Sequence, residues 1–138
     1  MEVRPNEWIL LKVAHKKEKS GTTRIQFPND ATPRYVERET FLDIKSFLDA
    51  RYLSKKGVGI SENDIQISLD EAAFKKINAF SRRSPKVGLG VFVMNKPFAI
   101  IQMVYSLEKP VMYWTGEDKA GSTIVVELIK TYRTISET

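Results

Sequence analysis

Few residues in this chain are of a type and spacing that could do chemistry. Asp64, Gln66, Ser68 and Asp70 put an oxygen at every second position, with Glu62 and Glu71 at the flanks. Calcium loops also space oxygen ligands two apart, but they need glycine at the sixth position and glutamate at the twelfth. Here those positions hold Leu69 and Lys75. Magnesium asks only for one or two carboxylates beside the substrate's phosphates, so Asp64 and Asp70 stand as the carboxylates of a metal-dependent hydrolase in one subordinate reading. The plainer account is a solvated strand face leading into a helix cap.

Gly116-Glu-Asp-Lys-Ala-Gly121-Ser122-Thr123 is the nearest approach to a phosphate-binding loop. A P-loop puts lysine directly after its second glycine, where the ammonium reaches the phosphates. This chain has Ser122 there, and Glu117 and Asp118 would set two negative charges against the ligand. An ordinary turn into a helix, whose acids favour the positive helix terminus, explains the same residues. His15 is the single histidine and there is no cysteine, which excludes disulfides, thiolate metal sites and cysteine nucleophiles. A zinc site would have to rest on carboxylates and a serine triad on this one imidazole, so a surface histidine is expected. No catalytic residue, cofactor site or metal site is assigned.

Lysine and arginine are distributed more informatively. The net charge is +5. Residues 1–60 carry twelve basic and eight acidic residues, residues 61–138 ten and nine, and no acid occurs between Glu71 and Glu108. Three clusters stand out: Lys16, Lys17 and Lys19; Lys55 and Lys56; and Lys75, Lys76, Arg82, Arg83 and Lys86. Cations at helix C-termini and in exposed loops have structural explanations, but three clusters and an acid-free span exceed what capping requires. These ten residues are therefore the expected contacts to nucleic acid, mainly to its phosphate backbone. The glycine pair in Val87–Val93 has the spacing of the strand motif that stacks bases in RNA-recognition domains. Leu89 and Val91 occupy the positions where that motif needs rings, so the match fails on its functional atoms. Close approach of a helix is the expected reason for Gly88 and Gly90. Trp114 and Tyr113, at a strand end, read first as core or rim packing, although the same residue types dominate interface hot spots.

The elements that must position these residues follow from periodicity. A length of 138 residues suits a single domain, 1–138, with one core. Trp8–Ala14 and the TTRIQF run read as an N-terminal hairpin around a lysine-rich loop. Thr32-Pro33 and Thr40-x-x-Asp43 are helix-start signals, and Phe41, Ile44, Phe47, Leu48 and Tyr52 have helical spacing, so a helix is expected over about 37–53, closed by Lys55-Lys56-Gly57. Ile65, Ile67 and Leu69 alternate as a half-buried strand. Ala73, Phe74, Ile77 and Phe80 form the stripe of a second helix ending near Arg83, and a third helix is expected over about 123–135.

Between the last two helices, Val87–Trp114 reads as a three-strand antiparallel meander broken at Asn95-Lys96-Pro97 and Ser106–Pro110. The fold class is α+β: an antiparallel sheet with a C-terminal-half meander, an N-terminal hairpin and about three helices. The middle strand of that meander, FAIIQMVY, is apolar on both faces apart from Gln102, which calls for a covering layer or a second copy of the chain. No segment approaches the roughly 18 apolar residues of a membrane span, and the N-terminal stretch does not resemble a signal peptide, so a cytoplasmic protein without membrane contact is expected. The leading functional expectation is a non-catalytic basic module bound to nucleic acid. The alternative is an accessory or interaction subunit that self-associates as a homodimer or docks an acidic protein.

Overall fold

A computed structural model describes residues 3–28, 30–53, 63–84, 87–102 and 106–137. The chain is α+β, with two antiparallel sheets and two α-helices among the described residues. In order the elements are β1 (Ile9–His15), β2 (Thr22–Ile25), β3 (Arg34–Glu37), β4 (Leu42–Asp43), β5 (Phe47–Tyr52), β6 (Asp64–Leu69), α1 (Glu71–Arg83), β7 (Gly88–Val93), β8 (Lys96–Gln102), β9 (Val111–Thr115) and α2 (Lys119–Ser136), with 3-10 turns at Pro5–Glu7 and Ile44–Ser46. The larger sheet runs β2-β3-β1-β7-β8, with β4 also pairing with β1; the smaller runs β5-β6-β9.

Both helices are capped by an aspartate, and α2 begins at Lys119, ahead of the expected start near 123. Asp70 Oδ1 accepts from the amide of Ala73 at 2.8 Å and Asp118 Oδ1 from that of Gly121 at 2.7 Å. Each satisfies an amide that the first helical turn leaves without a carbonyl partner. Ala73, Ile77 and Phe80 of α1 and Val125, Val126 and Ile129 of α2 are buried in one core with Ile9 and Leu11 of β1, Leu89 and Val91 of β7, and Ile65 and Ile67 of β6. Alternation along β1 sends Ile9 and Leu11 into that core and Ala14 to the opposite face of the sheet.

On that opposite face Phe27, 1% exposed, packs with Ala14 and Val36 and meets Phe92 edge-on at 5.4 Å. A Cβ on Gly90 would lie 2.6 Å from Phe27 Cζ. The close approach that requires glycine thus comes from a loop aromatic and not from a helix. The buried guanidinium of Arg34 fastens the same loop, donating from Nε to Asp30 at 2.8 Å and from Nη2 to Gln102 at 3.2 Å.

Three expected arrangements are corrected. Residues 37–53 are not a helix: they form the end of β3, β4, a 3-10 turn and β5. Asp43 caps only the 3-10 turn, accepting from the Lys45 amide at 2.9 Å. A bulge between Phe47 and Asp49 in the pairing with β6 explains the helical look of the sequence. It inserts an extra residue, so the buried positions Phe47 and Ala50 fall three apart while Leu48 is 46% exposed. Second, β1 and β2 are not a hairpin, because β3 lies between them and pairs with both. Third, β7 and β8 pair as expected, but β9 joins β6 in the other sheet. Among the described residues β8 is therefore an edge strand: Phe98 and Ile101 pack on the main core, Ile100 on the Phe27 cluster. Over its described residues the strand is covered within the chain on both faces, by the main core and by the Phe27 cluster. Lys55-Lys56-Gly57, expected as a helix end, lies outside the described residues.

Candidate functional site

Insertion of β3 between β1 and β2 has a local consequence. The lysine-rich loop 16–21 must pass from the end of β1, where His15 pairs with Tyr35, to the start of β2, where Thr22 pairs with Glu37. Residues two apart on a strand share a face, so Glu37 stands diagonally beside His15. The His15 Nε2 and Glu37 Oε2 atoms are 2.5 Å apart. This histidine is a strand residue with a 16% exposed side chain, not the free surface group expected.

The C-terminal end of α1 approaches the same place. Its buried stripe turns Lys75, Lys76, Arg82 and Arg83 outward. Lys75 faces Glu71 one turn away at 3.6 Å. Lys76 reaches the segment before β4: its Nζ donates to the carbonyl of Phe41 at 2.7 Å and stands 4.7 Å from the centre of the Phe41 ring. That ring lies 5.1 Å from the ring of Phe80. Quadrupole attraction and the hydrogen bond act together to fix the ammonium.

These elements enclose a groove of about 360 Å3. Lys19, Lys76 and Arg83 line it, as do Glu37, Glu39 and His15. Val13, Phe41, Phe80 and Val87 are also among its lining residues. A second cavity, of about 500 Å3, shares Lys19, Glu37 and Glu39 and adds Arg38. The site is thus a groove lined by side chains of both charges.

Of the ten basic residues singled out in the sequence, Lys19, Lys76 and Arg83 are brought together from two clusters. Lys16, Lys17, Lys75 and Arg82 are exposed and do not line this groove. Lys55, Lys56 and Lys86 lie outside the described residues. Sequence reasoning missed His15, Glu37, Glu39 and Phe41. Alternation from Ile9 through Leu11 and Val13 would have placed His15 on one face of β1; the two glutamates and Phe41 were hidden within the expected helix.

The other candidate chemistries resolve into structure. Asp64 is 8% exposed and accepts from Thr115 Oγ1 at 2.6 Å, while Asp70 caps α1. They lie at opposite ends of β6, about 20 Å apart by the rise of a strand, so they cannot share one ion. Among the described residues no group of three or more histidines and carboxylates is placed to hold a metal. In the 116–123 turn, Ser122 Oγ donates to the carbonyl of Asn63 at 2.7 Å and the Gly116 amide to the same carbonyl at 3.2 Å, while the Gly121 amide is taken by Asp118. A Cβ at Gly116 would collide with Ser122 Oγ and the Phe98 ring. Tyr52 closes the turn, its hydroxyl on Thr123 Oγ1 and, at 3.0 Å, on the carbonyl of Lys119. Burial, with the charge of Glu127, raises the pKa of its phenol above the ordinary value. Trp114 is core, 1% exposed and edge-on to Phe47 at 5.3 Å; Tyr113 is 60% exposed.

No helix among the described residues is long and apolar enough to cross a membrane. No known family model matches the sequence, and no curated protein does. Solved structures do match in fold. One, described as a crystal structure of SecDF in super-membrane-facing form, superposes with a TM-score of 0.64 at 9% identity over 89% of this chain. Another, described as a membrane component SecDF that enhances protein export, gives 0.63 at 10% identity, again over 89%. The chain spans 18% of the first and 61% of the second. At these identities what is shared is the fold.

Proposed function

We propose that the protein is a non-catalytic interaction module that engages another polypeptide through the groove between loop 16–21, the Glu37–Phe41 segment and the end of α1. The observation that carries this reading is the mixture of charges: Lys19, Lys76 and Arg83 with Glu37 and Glu39, over Val13, Phe41, Phe80 and Val87. A nucleic-acid backbone presents one sign of charge and would lie against both glutamates. A polypeptide presents both signs and apolar side chains as well. The fold shared with part of a membrane component whose description is to enhance protein export points the same way.

A second reading keeps nucleic acid as the partner, held through its phosphates by Lys16, Lys17, Lys19, Lys75, Lys76, Arg82 and Arg83. The net charge of +5 and the acid-free stretch between Glu71 and Glu108 favour it. The two separate in one experiment. Binding of an unfolded, carboxymethylated polypeptide of about 100 residues is compared with binding of a mixed-sequence oligonucleotide, at about 50 and 200 mM salt. The interaction reading expects the polypeptide to bind with a shallow salt dependence and to weaken in Lys19→Gln/Arg83→Gln. Steep, salt-sensitive binding of the oligonucleotide alone would overturn it.

A further inference from the structure

An open sheet ends in strands that present a row of amides and carbonyls to any passing chain, and natural sheets guard those rows with charge, proline, bulges or brevity. Among the described residues the two sheets end in β2 and β8 and in β5 and β9. β2 is four residues long and carries the exposed Arg24. β8 opens with Lys96 and Pro97, and an extra residue at Phe98 shifts its register with β7. β5 has the bulge at Leu48, with Asp49 and Arg51 exposed. β9 has none of these guards. Val111–Thr115 holds no charge and no proline, and it pairs with β6 without a shift. Met112 and Trp114 are buried on its core side, while Tyr113 on the other is 60% exposed.

We infer that β9 pairs antiparallel with β9 of a second copy, joining two three-stranded sheets into one. A two-fold axis through the sheet keeps each face on its own side, and the register that overlaps the whole strand is centred on Tyr113. Tyr113 then stands beside the partner's Tyr113, Val111 beside the partner's Thr115 and Met112 beside the partner's Trp114. Aromatic cross-strand pairs are favourable, and no like charges meet along the strand, so β9 is complementary to itself. Just outside it Lys109 falls opposite the partner's Glu117, both exposed, and symmetry repeats the pair. One place further out, Glu108 falls opposite the partner's Asp118, a carboxylate already turned to its own Gly121 amide. No residue of β9 lines the groove, so this inference stands apart from the reading of that site.

A single strand pair covers less than the standard interface of roughly 1,600 Å2, so a Kd of about 10–100 µM is expected. Sedimentation velocity of the full chain should show it passing from monomer to dimer across that range. Tyr113→Lys sets two ammonium groups side by side at an exposed position and is expected to remain monomeric with an unchanged circular dichroism spectrum. The chain has no cysteine, so single cysteines read the register. Tyr113→Cys should form a disulfide-linked dimer on mild oxidation, because residues directly opposite in an antiparallel pair lie within disulfide reach. Val111→Cys alone should not, whereas its mixture with Thr115→Cys should. A wild type still monomeric at about 500 µM, which would leave β9 to a strand of another protein, overturns the inference. So does a dimer that survives Tyr113→Lys, or Val111→Cys cross-linking to itself as readily as Tyr113→Cys. Should Tyr113→Lys fail to fold, the cysteine pattern decides.

Discussion

Lys76 and Phe41 meet twice, through a hydrogen bond from ammonium to carbonyl and through the same ammonium standing over the ring. They belong to α1 and to the segment before β4, so their contact ties the middle of the helix to that segment beside the groove. Phe41→Ala removes the ring contact with Phe80 as well, and is expected to cost about 2 kcal/mol, less than the range for a fully buried phenylalanine. Lys76→Met should cost under about 1 kcal/mol. A double-mutant cycle by urea denaturation is expected to give a coupling of about 0.5 kcal/mol; additive effects would show that the pair is merely adjacent.

Gly90 faces Phe27 with no room for a methyl group. Gly90→Ala must push a ring that is 1% exposed off the sheet, at an expected cost of about 1–3 kcal/mol. Phe27→Leu in the same chain should recover part of that loss although each change alone destabilises. Chemical denaturation of the three variants decides it, and a double variant no better than the sum of the singles would count against the contact.

Asp70 and Asp118 cap different helices, Asp70 directly after β6 and Asp118 after β9, whose Thr115 pairs with Asp64 at the far end of β6. Asp70→Ala and Asp118→Ala are each expected to lower stability by about 1 kcal/mol. Their separation makes the effects add to within about 0.5 kcal/mol. The urea midpoint of the double variant measures this.

Tyr52 gives the fold a dependence on alkaline pH. Burial, then the charge of Glu127, raises its pKa in the folded chain. A group whose pKa is higher folded than unfolded contributes stability below the unfolded value and loses it as pH rises through the folded one. Unfolding free energy should therefore be level from this source below about pH 10 and fall above it. Tyr52→Phe is expected to remove that part of the fall; a slope unchanged by the substitution would show that the phenol is not its source.

Much of the architecture is legible because local signals and tertiary placement agree. Ile65, Ile67 and Leu69 alternate and are buried as a strand. Asp70 and the 73–77–80 stripe mark α1, and the apolar spacing from 125 to 129 marks α2. The 37–53 region misleads because a bulge at Leu48 gives a strand the spacing of a helix. The break of the meander is hidden for another reason. Nothing in Val111–Thr115 says which of two sheets it should join; its pairing with β6 is a long-range choice made by Trp114 packing on Phe47. The groove inherits both obscurities. Lys19, Lys76 and Arg83 are visible as charges, but their meeting depends on β3 entering between β1 and β2, and Glu37 and Glu39 come with it.

The seating of Phe27 on Gly90 also bears on how this sequence can change over generations. A side chain at position 90 is tolerated only if position 27 shrinks first, so the order of substitutions is constrained as well as their identity. Related chains should fall into two groups, glycine with a large ring or a larger residue with a small one, with few intermediates. Two positions in different segments of the sequence are thereby inherited as one.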